Sequence, residues 1–357
     1  MTIGFGVVVI DLLAQLHYGR RVRRSPWGAG TLEWATSMPP RSYTFPSIPH
    51  VEIRADRVAT LGLAQSLARG EGYLGFARNG WKETLGVQVT SGAPEQLIVL
   101  SGSSYLPLCT ALATAAAALG FLFEYYLMAL AMAIWTASLF VLAGRSAGLA
   151  QDYGPMPIGR GVHVPPHTEV AEPPPWLALV FALVADGTLF TSLVFGALYL
   201  WISAPNWPPQ AAPEPGVLPA IVAASLAVAA AAGRGSLRAG GAGKSARVWI
   251  GLAMLSLLAA IAAVVIMISG LIPNPREHAL GATAAALLAY VALHAGIGIL
   301  FLLSNLLRLA AGRISRGRTL DLRLTRLWLD YTGATGLIAL SLISALPMLV
   351  AMLGGRP

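Results

Sequence analysis

Between Trp176 and Trp201 the chain runs for 26 residues with one ionisable side chain, Asp186, among apolar and small neighbours. As a helix rising about 1.5 Å per residue, this stretch crosses the roughly 30 Å hydrocarbon core of a bilayer with length to spare. Asp186 then falls roughly 15 Å from the Trp176 end, near the middle of the hydrocarbon. A carboxylate at that depth costs on the order of 3 kcal/mol or more, so it has a partner or a task. The two tryptophans suit the interfacial belts at either end.

The rest of the chain agrees. With 56% hydrophobic and 11% charged residues over 357 positions, it is too apolar for a soluble globule. Apolar runs predict an all-α integral membrane protein with about eight transmembrane helices: Thr2–Leu16, Tyr105–Leu122, Leu127–Ala143, Trp176–Trp201, Val217–Ala232, Val248–Leu271, Leu280–Asn305 and Leu327–Leu353. Val217–Ala232 is short and alanine-rich, and the basic residues decide for it. With eight spans, 22 of the 24 Lys and Arg fall on one side, and only Arg276 and Arg356 on the other. Without that run the split is 14 to 10. The positive-inside rule thus favours eight crossings with the basic loops, including 17–102, in the cytoplasm. The net charge of +8 is read as topological rather than as a nucleic-acid footprint. The first run has no preceding basic residue and no small-residue cleavage site after it, so it reads as the tail end of a membrane helix, not a signal peptide.

The 86 residues His17–Gly102 are rich in Gly, Pro and Arg, without a long apolar period, and read as a tail and linker. Within them stand Ser25-Pro-Trp-Gly-Ala-Gly-Thr-Leu-Glu-Trp-Ala-Thr-Ser-Met-Pro-Pro40, Tyr43-Thr-Phe-Pro46 and Ile48-Pro49. This series resembles the cytoplasmic tail of subunit I of the haem–copper cytochrome c oxidases. Asn79-Gly-Trp-Lys-Glu-Thr-Leu-Gly86 through Leu106-Pro107 is similar to the joint of bacterial oxidases in which subunits I and III are fused. Three further stretches resemble subunit III: Ala185-Asp186-Gly-Thr-Leu-Phe190 with Tyr199-Leu-Trp201 and Ala204-Pro-Asn-Trp-Pro-Pro209 its third helix, His294-x-x-Ile297-Gly298-x-x-Phe301 its sixth, and Leu327-Trp-Leu-Asp-Tyr-Thr332 the start of its seventh.

The resemblance implies a domain order: 1–50 the last helix and tail of subunit I, 51–102 a cytoplasmic linker, 103–357 a seven-helix subunit III-like domain. It also implies a place in the bacterial plasma membrane beside oxidase subunits I and II, with phospholipid in a cleft between helices. Two departures are visible. The family's intramembrane Glu is here the shorter Asp186, and its seventh-helix His position holds Asp330.

Redox chemistry is not expected of this chain itself. Of its six histidines only His294 lies well inside a predicted span, too few for oxidase haems or a binuclear centre, and Cys109 alone cannot build a paired-cysteine copper site. No cofactor or metal is therefore expected in it; the resemblance implies haem and copper in partner subunits. Asp186 is open to two readings, a hydrogen-bonded structural acid or, as the resemblance implies, a carboxyl supporting proton supply. His294 packs, with Gly298 one turn on admitting a neighbouring helix, or handles protons. Asp330 lies four residues after Arg326, which predicts an i,i+4 salt bridge. A different class of function, a proton-coupled transporter relaying through Asp186, His294 and Asp330, also fits these residue types. It fits less well with the lack of inverted repeats.

Three apparent motifs do not hold. Gly240-Gly-Ala-Gly-Lys-Ser245 echoes a phosphate loop, but Arg238 stands where its first glycine belongs. His163 and His167 have Pro165 and Pro166 between them, which forbid the helical turn that would align two metal ligands. Arg20, Arg21, Arg23 and Arg24 follow a span directly and read as a topology anchor.

Overall fold

The structure is a computed structural model and describes residues 2–19, 31–35, 45–54, 57, 62–75, 81–146, 153–167, 173–203, 216–240, 243–271, 274–275 and 278–345. The chain divides into two compact units, Met1–Gly148 with Pro155–Pro166, and Leu149–Gly154 with His167–Pro357.

In the first unit, α1 (Thr2–Tyr18) leaves nearly all its side chains exposed. Much of the oxidase-like tail motif, and the topology anchor Arg20–Arg24, lie outside the described residues. Further on come α2 (Leu63–Ala68), strands β1 (Lys82–Val87) and β2 (Pro94–Leu100), helices α3 (Leu106–Leu122) and α4 (Tyr126–Ser146), and strands β3 (Met156–Gly159) and β4 (Val162–Val164). The linker reading gave this region no strands. Yet β1 and β2 pair antiparallel, the Leu97 amide donates to the Pro165 carbonyl at 2.9 Å, and Leu97, Tyr73, Ile158 and Val164 bury one another. The partner of β2 arrives some sixty residues later, after α3 and α4, so no local pattern announced the pairing. It carries topological information. Segments 94–100 and 156–165 touch, so they share one side, and the two helices between them must leave that side and return.

The second unit is a bundle of α5 (Pro174–Ser203), α6 (Leu218–Arg238), α7 (Gly243–Ile266), α8 (Ala279–Ala310) and α9 (Leu320–Leu340). Helix α6 packs on α7 and α9, α8 also packs on α7 and α9, and α5 lies against α8 and α9. Leu226, Ile250, Leu257, Leu287, Leu288, Leu302 and Leu329 are fully buried between them. Small residues set the helix spacing, because lipid offers no hydrophobic drive that would press helices together. A Cβ on Gly298 would meet Leu257 Cδ1 at 3.0 Å and Leu329 Cδ2 at 3.3 Å, so α7 and α9 both close on α8 there.

This is an all-α multi-pass membrane protein. The span count is corrected, however: α4 to α9 are the six helices among the described residues that are long and apolar enough to cross. At 17 residues each, α1 and α3 rise only about 25 Å, short of the roughly 20 residues a crossing needs. Helix α3 is nonetheless the return partner that the pairing of β2 with residue 165 demands of α4. The last helix also starts at Leu320 rather than Leu327, since Arg323 and Arg326 extend the helix through its polar first turns.

Candidate functional site

Asp186 is the thirteenth residue of α5, on the same stripe as buried Leu183, Phe190 and Ala197, which turns toward α8 and α9. Its partners come from those two helices. Tyr290 on α8 and Tyr331 on α9 both donate their hydroxyls to Oδ2 of Asp186, Tyr331 at 2.6 Å. The two hydroxyls lie 3.0 Å apart, and His294 Nε2 approaches the same oxygen at 3.1 Å. One carboxyl oxygen thus gathers three side chains from two helices.

His294 is held from several directions. Its Nδ1 lies 2.9 Å from the Tyr290 carbonyl oxygen one turn back. A carbonyl can only accept, so Nδ1 carries the proton and Nε2 is the nitrogen that faces Asp186. The Trp328 indole N–H donates to the His294 carbonyl at 3.0 Å, and its ring stacks on the imidazole at 5.2 Å between centroids with 5° between planes. Tyr290 covers another face of the imidazole at 4.0 Å and itself rests on Phe190 at 5.0 Å. Aromatic packing of this kind fixes ring orientation, because stacked or offset rings lose contact area when they rotate.

Chemically, the Asp186–His294 pair can hold one labile proton. It is either a carboxylic acid beside a neutral imidazole or a carboxylate beside an imidazolium, and both forms have zero net charge. Neither form leaves an unpaired charge, which is the condition an apolar helix bundle sets for an ionisable group. The side chain of His294 is 4% exposed, whereas that of Asp186 is 25% exposed, so the carboxyl is the end of the pair that reaches the bundle surface.

Asp330 does not join this cluster. It is the eleventh residue of α9, and its carboxylate binds Arg234 Nη2 of α6 at 2.8 Å and Arg326 Nε at 3.4 Å. The i,i+4 pair with Arg326 is the one expected; Arg234 is an addition from across the helix interface. His163 belongs to β4, and His167 Nε2 meets the Gly317 carbonyl at 3.2 Å. Among the described residues, no three His, Cys, Asp or Glu converge as metal ligands.

Sequence reasoning missed Tyr290, Tyr331 and Trp328. A signal existed: Tyr290 precedes His294 by one helical turn and Gly298 follows by one, so a polar-tipped aromatic shares the buried face of α8. Compared with known proteins, the chain matches no family model and no curated protein.

Proposed function

We propose that this chain is a non-redox component of a respiratory haem–copper oxidase, joining the end of subunit I to a subunit III-like bundle. In this reading it flanks a haem- and copper-bearing partner, holds phospholipid and sustains proton uptake through Asp186. What supports the reading most is a convergence. The three stretches that resemble subunit III, Ala185–Phe190, His294–Phe301 and Leu327–Thr332, meet at one carboxyl. A resemblance spread over separate helices gains weight when its residues share one site.

In mechanism, Asp186 takes a proton from outside the bundle and shares it with His294 Nε2. The two tyrosine hydroxyls hold the carboxyl in place and stabilise its ionised form while the proton is absent. Replacing Asp186 with Asn keeps the shape and removes the exchangeable proton. The expected outcome is unchanged co-purification with a haem-bearing partner and activity that decays several-fold faster during turnover. Wild-type turnover and wild-type inactivation in Asp186→Asn remove the role, and a chain that purifies with no haem-bearing partner removes the oxidase reading.

The Asp186–His294 contact also favours the second reading, a proton-coupled transporter. That relay has lost its third member, since Asp330 is engaged by two arginines. Substrate-dependent proton flux by the isolated chain in vesicles, without haem, decides for it.

A further inference from the structure

Where α6 meets α9, the bundle carries more positive charge than its own carboxylates balance, and we propose that this surface binds the phosphate of an anionic phospholipid headgroup. The inference does not rest on the oxidase reading. At that contact Arg234, Arg238 and Arg326 stand against one carboxylate, Asp330. Asp321 is engaged by Arg308 at 3.3 Å. Asp330 is shared between Arg234 and Arg326, whose side chains stay 49% and 48% exposed. Each guanidinium has five donors in a planar fork, so one carboxylate between two of them leaves donors unmet. Arg238, also exposed, follows Arg234 by one turn on the same helix face.

Depth selects the ligand. Arg234 lies one turn before α6 ends at Arg238, which sets the cluster at the border between hydrocarbon and headgroups. Unmet guanidinium donors there face little water, and a phosphate diester offers paired oxygens that match the fork. The lipid also explains the neighbouring surface. Leu337 and Ile338, about two turns beyond Asp330 on α9, are 45% and 50% exposed and extend an apolar track along which an acyl chain can lie. A free phosphate has no use for that track.

The test uses the full-length protein in detergent, delipidated and then offered equal amounts of phosphatidylglycerol and phosphatidylcholine, with retained lipid read by native mass spectrometry. Wild type should retain phosphatidylglycerol preferentially. Attraction to an anionic lipid surface is on the order of fivefold per arginine, so Arg234→Gln with Arg326→Gln should lower the preference on the order of 30-fold. Arg247→Gln removes one exposed cation outside the pair and should lower it by no more than about fivefold. Asp330→Asn keeps both arginines and releases them from their carboxylate, so it should raise the preference. If the double arginine variant fails to fold, the sign of the Asp330→Asn change decides alone. Equal retention of both lipids, retention of neither, an equal loss in Arg247→Gln, a fall in Asp330→Asn, or displacement by millimolar inorganic phosphate each overturns the proposal. Retention of neither would point to a carboxylate of a partner protein, and displacement by phosphate to a soluble anion.

Discussion

At the scale of single residues, a carboxyl that cannot be left alone in an apolar bundle draws its neighbours into one constellation. Tyr290 and Tyr331 donate to the same oxygen of Asp186 from different helices, so their contributions should not add. Tyr290→Phe and Tyr331→Phe each keep the ring and its packing and remove one donor. Hydrogen bonds between membrane helices contribute about 0.6 kcal/mol on average and up to about 1.7, which bounds each single loss in thermal stability. The double variant should differ from the sum by at least about 0.5 kcal/mol, measured by thermal unfolding of the protein in detergent. Strict additivity would mean that the two hydroxyls serve Asp186 independently. Asp186 and His294 were legible in the sequence because ionisable groups stand out in apolar runs. The tyrosines were fainter: Tyr290 was marked only by its place one turn before His294, and Tyr331 not at all, since a tyrosine inside a span counts with the apolar pattern until a partner helix is in place. Asp330 was half legible: its partner four residues back lies on the same helix, whereas Arg234 comes from a different one.

At the scale of elements, small residues decide which helices touch. A Cβ on Gly336 of α9 would meet Leu226 Cδ1 at 2.3 Å, and Leu226 is 1% exposed, so its side chain has little room to swing away. Gly196 of α5 has nothing within 4 Å of that position. Gly336→Val should therefore destabilise the protein by about 1–3 kcal/mol through overpacking. Gly196→Val should be close to neutral. The measurement is the unfolding temperature of each variant in the same detergent, and equal shifts would mean that α6 and α9 do not pack at this glycine. Helix positions were readable from apolar length, and α6 from charge. The two hairpins of the first unit were not, because β1 and β2 are six and seven residues long and close their small core only with a segment beyond α4.

At the scale of the whole molecule, what remains is how often the chain crosses, and within the second unit one hydrogen bond constrains it. His167 lies before α5 and Gly317 lies after α8, and they meet at 3.2 Å, so an even number of crossings separates them. Helices α5, α7 and α8 alone make three. The alanine-rich α6 has to be the fourth, the same conclusion that the distribution of Lys and Arg required. Two unrelated arguments, one from charge and one from contact, therefore meet on the weakest span of the bundle. Single cysteines test it, in a background where Cys109, the only native cysteine, is replaced by serine. Val217→Cys at the start of α6 and Pro275→Cys before α8 should react with a membrane-impermeant maleimide from one side of sealed vesicles, and Arg316→Cys only from the other. If Val217→Cys and Arg316→Cys label from the same side, α6 does not cross, and the basic loops lose the common side on which the proposed phosphate site depends.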